Sequence, residues 1–316
     1  MSYKIDKKIL VTFAGTTVAQ NVIEYNKDNF KDIYAVDSSS FCYSAKVLKD
    51  NFFVVPPLKN WNDYKEALLK ICRKENINLI IPCSNDEEIV KLSRHRDEFK
   101  EAGTDILLSN YEVIMLCDDK VKCNSFVSNL GIKVPRMYQK NEVARAKFPI
   151  FFKSRRGNGS EYAKVIYRKE ELNDLSVKDN KFILQEFIKG PEYSIDLVLN
   201  NDSDLVAGAC RKRVSVKSGL CVKAEISRDN SLIEKAGTIA RSLKLIGPVN
   251  IQFIKDYFIE ANPRLPGGLG LDAIAGFNLA LLGVKAFYNL PIKKEETKLK
   301  EAKVLRIWRD ILYERK

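Results

Sequence analysis

The apolar positions change their period along the chain. In the first third, short apolar runs alternate with amphipathic stretches. Lys8 to Phe13, Ile33 to Val36 and Leu79 to Cys83 read as strands, and helices are expected from about Thr17 and over Trp61 to Lys74. Such alternation predicts a parallel sheet with helices on its faces. Near Cys117 the pattern shifts. Asp118-Asp119-Lys120 opens a helix, since acids suit a first turn, and Gly131 with Pro135 closes that segment. Strand-like runs then dominate. Phe148 to Ser160 gives a strand, a lysine at its end (Lys153) and a loop with Gly157 and Gly159; Phe182 to Val198 gives two strands broken at Gly190-Pro191.

The run Val249 to Arg264 reads as a hairpin with its polar tip at Lys255-Asp256. Glu260 and Asn262 share one face of their strand, as do Asn250 and Gln252 of theirs. A two-residue turn sets Gln252 opposite Ile259; a three-residue loop sets Gln252 opposite Glu260 and Asn250 opposite Asn262. The second arrangement gathers a carboxylate and several amide oxygens, the donor set that Mg²⁺ takes alongside water and phosphates. An odd loop or a bulge is therefore expected, the other outcome being an edge hairpin with a solvated polar face.

Composition narrows the class. The 316 residues suffice for two domains, and no run approaches the ~20 apolar residues of a membrane span. The first residues, Met-Ser-Tyr-Lys-Ile-Asp-Lys-Lys, lack the apolar core of a signal peptide. Seven scattered cysteines without a C-x-x-C pair fit reduced thiols in a cytoplasmic protein rather than a disulfide frame or a zinc site. The single histidine, His95, lies among Arg94, Arg96 and Asp97 and is expected at the surface, which argues against histidine-based catalysis or metal binding. The net charge of +12 is interleaved with acids along the whole length, so an anionic small molecule is favoured over nucleic acid.

Candidate chemistry follows the same order. An acid after the second strand, Asp37, is what a dinucleotide-binding sheet uses for a ribose, but the first turn, Ala14 to Ala19, has one glycine where that fingerprint has three. Gly15, Asp37 and the Ser84 to Glu87 loop are instead expected to line part of a substrate cleft. The strand, lysine and glycine-loop order at Lys153 is what phosphate cradling needs, without a Walker pattern; a hairpin turn has the same look. The Gln185 to Ile188 edge offers backbone groups to a purine and Glu192 a carboxylate to a ribose, or Glu192 simply sits in a turn. Arg211-Lys212-Arg213 is either a solvated edge or a neutraliser of anions.

Taken together, the ordered set resembles the ATP-grasp family: Lys120, Lys153 with its loop, Gln-Glu-Phe-Ile before Gly-Pro-Glu-Tyr-Ser, a basic strand, then Asn-Ile-Gln and Glu-Ala-Asn-Pro-Arg. It is most similar to carboxylate-amine ligases of the kind of carbamoyl-phosphate synthase and of the lysine-adding ligase of pyrrolysine biosynthesis. Ala275-Gly276-Phe277-Asn278-Leu279 matches the helix that follows the metal motif in that family.

The resemblance implies a Rossmann-like parallel-sheet domain over residues 1–115, α/β in class. An ATP-grasp domain of two α+β subdomains would follow over 116–316, with a lid at about 138–187 and a C-terminal part at about 188–316. It implies that Lys120 and Lys153 hold ATP phosphates under a lid of Gly157, Gly159 and Ser160, and that Glu186, Phe187 and Ile188 meet adenine. Glu192 would take the ribose. Gln252, Glu260 and Asn262 would bind one or two Mg²⁺ ions, or Mn²⁺, while Arg264 and Arg213 stabilise the transferring phosphoryl group. The implied reaction joins a carboxylate to an amine through an acyl phosphate, releasing ADP and phosphate. The alternatives are a carboxyphosphate-forming enzyme and a nucleotide-binding regulator without catalysis. Expected partners are small carboxylate and amine substrates of amino-acid kind and, at most, a second copy of the chain, with neither nucleic acid nor membrane. The acceptor carboxylate is placed at Pro266 to Gly270, a stretch that also reads as a helix-entry loop.

Overall fold

The computed structural model describes residues 4–83, 86–139, 142–157, 162–172, 180–307 and 309–313. Three sheets organise them. The first contains β1 (Ile5–Val11), β2 (Phe30–Asp37), β3 (Phe52–Val54), β4 (Leu79–Ile81) and β5 (Asp105–Ile106), all parallel, in the order β3-β2-β1-β4-β5. Its crossovers carry α1 (Thr17–Asn26), α2 (Tyr43–Leu48), α3 (Trp61–Glu75), α4 (Asp86–Arg94) and α5 (Arg96–Glu101). This is the expected Rossmann-like α/β sheet. The first strand stops at Val11, two residues short of the expected end, because Phe13 takes a positive φ of 50° and turns the chain into the loop before α1. Thr16 then caps α1, its hydroxyl accepting from Ala19 N at 3.2 Å.

Two helices, α6 (Tyr111–Asp118) and α7 (Lys120–Asn129), lead to an antiparallel four-stranded sheet of β6 (Met137–Tyr138), β7 (Ile150–Ser154), β8 (Lys164–Ile166) and β9 (Phe182–Glu186), in the order β6-β9-β7-β8. The last and largest sheet has β10 (Glu192–Leu199), β11 (Leu205–Lys217), β12 (Leu220–Ser227), β13 (Gly247–Ile254), β14 (Tyr257–Asn262) and β15 (Ala302–Leu305), in the order β14-β13-β10-β11-β12-β15. One face packs the apolar positions Ile195, Leu197, Ile251 and Phe253 against α7 and α8 (Asn230–Ser242). A second core joins β1 and α1 of the first sheet to α9 (Leu269–Ile274) and α10 (Leu279–Phe287). No helix of the described residues is long and apolar enough to cross a membrane.

Two local expectations change. Ala275 to Asn278 is the turn between α9 and α10 rather than a helix: Gly276 has φ +92° and Asn278 caps α10. His95 is half-buried, with Nδ1 2.6 Å from Glu98 Oε1 and its ring against Trp61.

Candidate functional site

The hairpin β13–β14 has a two-residue turn, Ile254 pairing with Tyr257, and yet Gln252 lies opposite Glu260 and Asn250 opposite Asn262. A bulge at Ile259 reconciles the two, since the extra residue moves the rest of β14 by one. The same bulge lets Phe258 enter the core while Glu260 turns the other way. Of the two devices expected, the bulge is present and the longer loop is not. Register extends the pattern sideways. Ser194 and Asp196 on β10 lie opposite Gln252 and Asn250, and Ser194 lies opposite Arg211 on β11. One face of the large sheet therefore carries Glu192, Ser194, Asp196, Arg211, Arg213, Asn250, Gln252, Glu260 and Asn262.

This face is one wall of a cavity of about 730 Å³. Lys153 and Phe151 of β7 and the stretch Gln185 to Ile188 line it from the small sheet, and Phe13, Thr16, Val18 and Cys83 from the loops and α1 of the first α/β unit. Lys153 is buried, and desolvation, with help from the charge of Lys120, pushes its ammonium down to about 8 although Glu260 opposes this. Burial alone would raise Glu260, but Lys153 and Lys120 outweigh it, with Asn262 and Arg264 adding to their effect, so its carboxyl titrates below the ordinary range. A carboxylate and two ammonium groups thus act on one another at this wall of the cavity.

The α6–α7 junction grips the glycine loop. Asp119 caps α7 through Val121 N and Lys122 N at 3.2 and 3.4 Å, and accepts Arg155 at two points, 2.9 and 2.7 Å. Asp118 accepts from Gly157 N at 2.9 Å, and Lys120 donates to Gly157 O at 2.7 Å. Arg155 and Arg156, the basic residues of the loop, are thus turned to Asp119 and Asp118. Gly159 and Ser160 lie outside the described residues.

Glu186, Phe187, Ile188 and Glu192 all line the cavity. The Glu186 N–H already donates to Arg136 O at 2.8 Å and is not open to a ligand. Glu192 forms an ion pair with Arg213, whose other nitrogen donates to Gly219 O at 2.9 Å. Arg264 reaches across to the first α/β unit, where Nε meets Asp86 Oδ1 at 2.8 Å. Asp37 accepts from Gly15 N at 2.8 Å and holds that loop in place; neither lines the cavity, and Ser84 and Asn85 lie outside the described residues. The Pro266 to Gly268 loop does line it and enters α9, with Gly268 packed on the Arg211 guanidinium.

Arg211 corrects the solvated-edge alternative for the basic strand. It is buried, between the equally buried Asp196 at 2.6 Å and Asp272. Only Lys212 points outward, to Glu225. Burial, with the neighbouring Asp196, holds Asp272 well above the carboxylate range, against the pull of Arg211. Sequence reasoning missed Asp196 and Asp272, and it set Asp86 within a cleft-lining loop without its partner Arg264. A lone acid in the apolar run Tyr193-Ser-Ile-Asp-Leu-Val was the available signal for the first.

The residues fit a hard divalent cation. Gln252 and Asn262 each donate their amide NH₂ to Asn250 Oδ1 at 3.4 Å, and Asn262 also to Glu260 Oε1 at 3.2 Å. Their amide oxygens have no donor among the described residues, so two neutral oxygens accompany one carboxylate. No group of three His, Cys, Asp or Glu side chains suited to a metal exists among the described residues. An ion here would need further oxygens from a ligand, as phosphates supply.

Comparison with known proteins agrees with this fold. Residues 178–308 match the family described as ATP-grasp in the biosynthetic pathway with Ter operon. The large chain of carbamoyl phosphate synthase from Pseudothermotoga lettingae is 24% identical over 291 residues, covering 82% of this chain and 26% of that protein. That from Clostridium acetobutylicum is 23% identical over 336 residues, covering 92% and 31%. The chain thus spans about a quarter to a third of the curated relatives it matches. Among solved structures, a biotin carboxylase–β-γ-ATP complex from Campylobacter jejuni superposes with TM-score 0.71 at 15% identity, covering 93% of this chain and 73% of that one. N5-carboxyaminoimidazole ribonucleotide synthetase from Thermus thermophilus gives 0.71 and 15%, covering 93% and 81%. At such identity these likenesses speak for the fold. The ATP-grasp likeness thus rests on residues 178–308 and on the shared fold; one structural neighbour, the biotin carboxylase domain of 2-oxoglutarate carboxylase from Hydrogenobacter thermophilus, was solved in complex with MgADP. Residues 9–107 match the model described as PylC-like, N-terminal domain.

Proposed function

We propose that the chain is an ATP-dependent carboxylate-amine ligase that forms an amide or peptide bond through an acyl phosphate. The observation that carries this reading is the single sheet face bearing Glu192, Arg213, Gln252, Glu260 and Asn262, set across one cavity from Lys153. Lys120, Lys153 and the Gly157 loop hold the phosphates, Phe187 and Ile188 flank the adenine, and Glu192 takes the ribose. Gln252, Glu260 and Asn262 hold Mg²⁺, which when bound neutralises phosphate charge. Arg264 and Arg213 orient the transferring phosphoryl group and balance its charge, the main work of such transfers.

A substrate carboxylate oxygen attacks the γ-phosphorus while the bridging β–γ bond breaks, giving an acyl phosphate and ADP. The amine nitrogen then attacks the acyl carbon. The carbon–oxygen bond to phosphate breaks, the nitrogen loses a proton, and amide and phosphate leave. No protein nucleophile is needed, in keeping with a cavity that lacks histidine.

Incubation with ATP, Mg²⁺ and a panel of amino acids tests the reading through release of ADP and phosphate; AMP in place of ADP would overturn it. The second reading, carboxyphosphate formation, draws on the carbamoyl phosphate synthase relatives. It requires ADP release that depends on bicarbonate in the absence of any amino acid. Glu260→Gln separates either enzyme from a regulator without catalysis: turnover should vanish while much of the nucleotide affinity remains.

A further inference from the structure

The polar face below the cavity continues into the sheet in one direction of hydrogen bonding. Asp196, fully buried on β10, accepts from Asn250 Nδ2 at 2.6 Å. That bond decides which end of the Asn250 amide faces β14. Its oxygen, turned outward, accepts the NH₂ groups of both Gln252 and Asn262. Each of these amides, having its nitrogen engaged, presents its oxygen elsewhere. A carboxylate can only accept, so Asp196 fixes the polarity of the whole chain of amides.

We infer that Asp196 is a positioning residue for divalent-cation binding, acting through Asn250 to aim the amide oxygens of Gln252 and Asn262 at the ion. This rests on the reading of Gln252, Glu260 and Asn262 as the metal site and extends it to a residue that touches no ligand. Outer partners that orient metal ligands typically change metal affinity by about 10- to 100-fold when removed. Arg211 and Asp272 make the arrangement tolerant of substitution, because the guanidinium lies between two carboxyls and keeps one if the other is neutralised.

The test is a reciprocal exchange. In Asp196→Asn the amide can donate as well as accept, the Asn250 orientation is no longer enforced, and Mn²⁺ binding to the protein with ADP, followed by electron paramagnetic resonance, should weaken about tenfold. Affinity for ADP without metal should stay within about twofold, since no phosphate-facing group has changed. Asn250→Asp alone places two carboxyls face to face and should also weaken Mn²⁺ binding. The double variant Asp196→Asn with Asn250→Asp restores one donor facing one acceptor, with the new carboxylate still receiving Gln252 and Asn262, and should recover Mn²⁺ binding. Asp272→Asn, which keeps Asp196 and Asn250 intact, should leave it unchanged. Failure of the double variant to recover, or an equal loss in Asp272→Asn, overturns the inference in favour of a purely structural role. Glu260→Gln run in parallel isolates the underlying reading: if Mn²⁺ binds that variant normally, the metal site itself is misassigned and the inference fails with it.

Discussion

Arg264, two residues beyond the end of β14, gives its Nε to Asp86, the first residue of α4, at 2.8 Å. A residue of the N-terminal α/β unit thereby sets the direction of an arginine that belongs to the large sheet's motif. Asp86→Asn should lower turnover about tenfold, equivalent to about 1.4 kcal/mol in the barrier, through a less well aimed guanidinium. Nucleotide affinity, measured by calorimetry, should change little. Equal loss in both would show that the pair serves stability alone.

The ammonium of Lys153, pushed to about 8, is cationic below that pH and neutral above it. Affinity for ADP without metal should therefore fall as pH rises from about 7 to about 9, and Lys153→Met should bind more weakly and lose this pH dependence. Stability has the opposite sign. The unfolded lysine keeps its proton up to its ordinary value of 10.5, so between about 8 and 10.5 this group's contribution to stability rises with pH.

Arg211→Met removes the cation that lies between Asp196 and Asp272 and should destabilise the fold by about 3–5 kcal/mol in denaturant titration. Gly268→Ala probes the same contact from outside, since its Cβ would lie 2.3 Å from the Arg211 guanidinium carbon. A guanidinium held by two carboxyls cannot give way easily, and a cost of about 1–3 kcal/mol is expected. Gly190→Ala is the contrasting case: the new methyl meets the Lys255 side chain, which swings aside, and stability should hardly change.

Asp119 joins a helix cap to the grip on Arg155. Burial disfavours its charge, but Arg155 and the α7 amides more than compensate, and its carboxyl titrates below the ordinary value. The stability it provides is present above that value and is lost as pH falls through the lowered one. Asp119→Ala should cost about 0.5–2 kcal/mol for the cap alone and remove this part of the acid sensitivity. Proteolysis near Arg155 offers a local readout, with faster cleavage expected.

Much of this was legible in the sequence because strand alternation is a local property. The parity that placed Glu260 with Asn262 and Asn250 with Gln252 follows from period two within one strand. Joining the pairs depended on a bulge at Ile259, and no residue type announces a bulge; only the need to gather oxygens suggested one. Arg211 was harder to read. Its neighbours Lys212 and Arg213 look like the same solvated cationic edge, and burial is decided by Asp272, sixty-one residues later, which no local pattern ties to it. The pairing of Asp86 with Arg264 lay hidden for the same reason, 178 residues separating the two.

Lys120 gives its ammonium to the carbonyl of Gly157. An ammonium has three N–H donors, so an anion can take a second one while the first stays on that carbonyl, and the loop remains held by Asp118 and Asp119. One ammonium can then tie an anion in the cavity to the backbone of its rim, so that occupation and ordering of the loop go together.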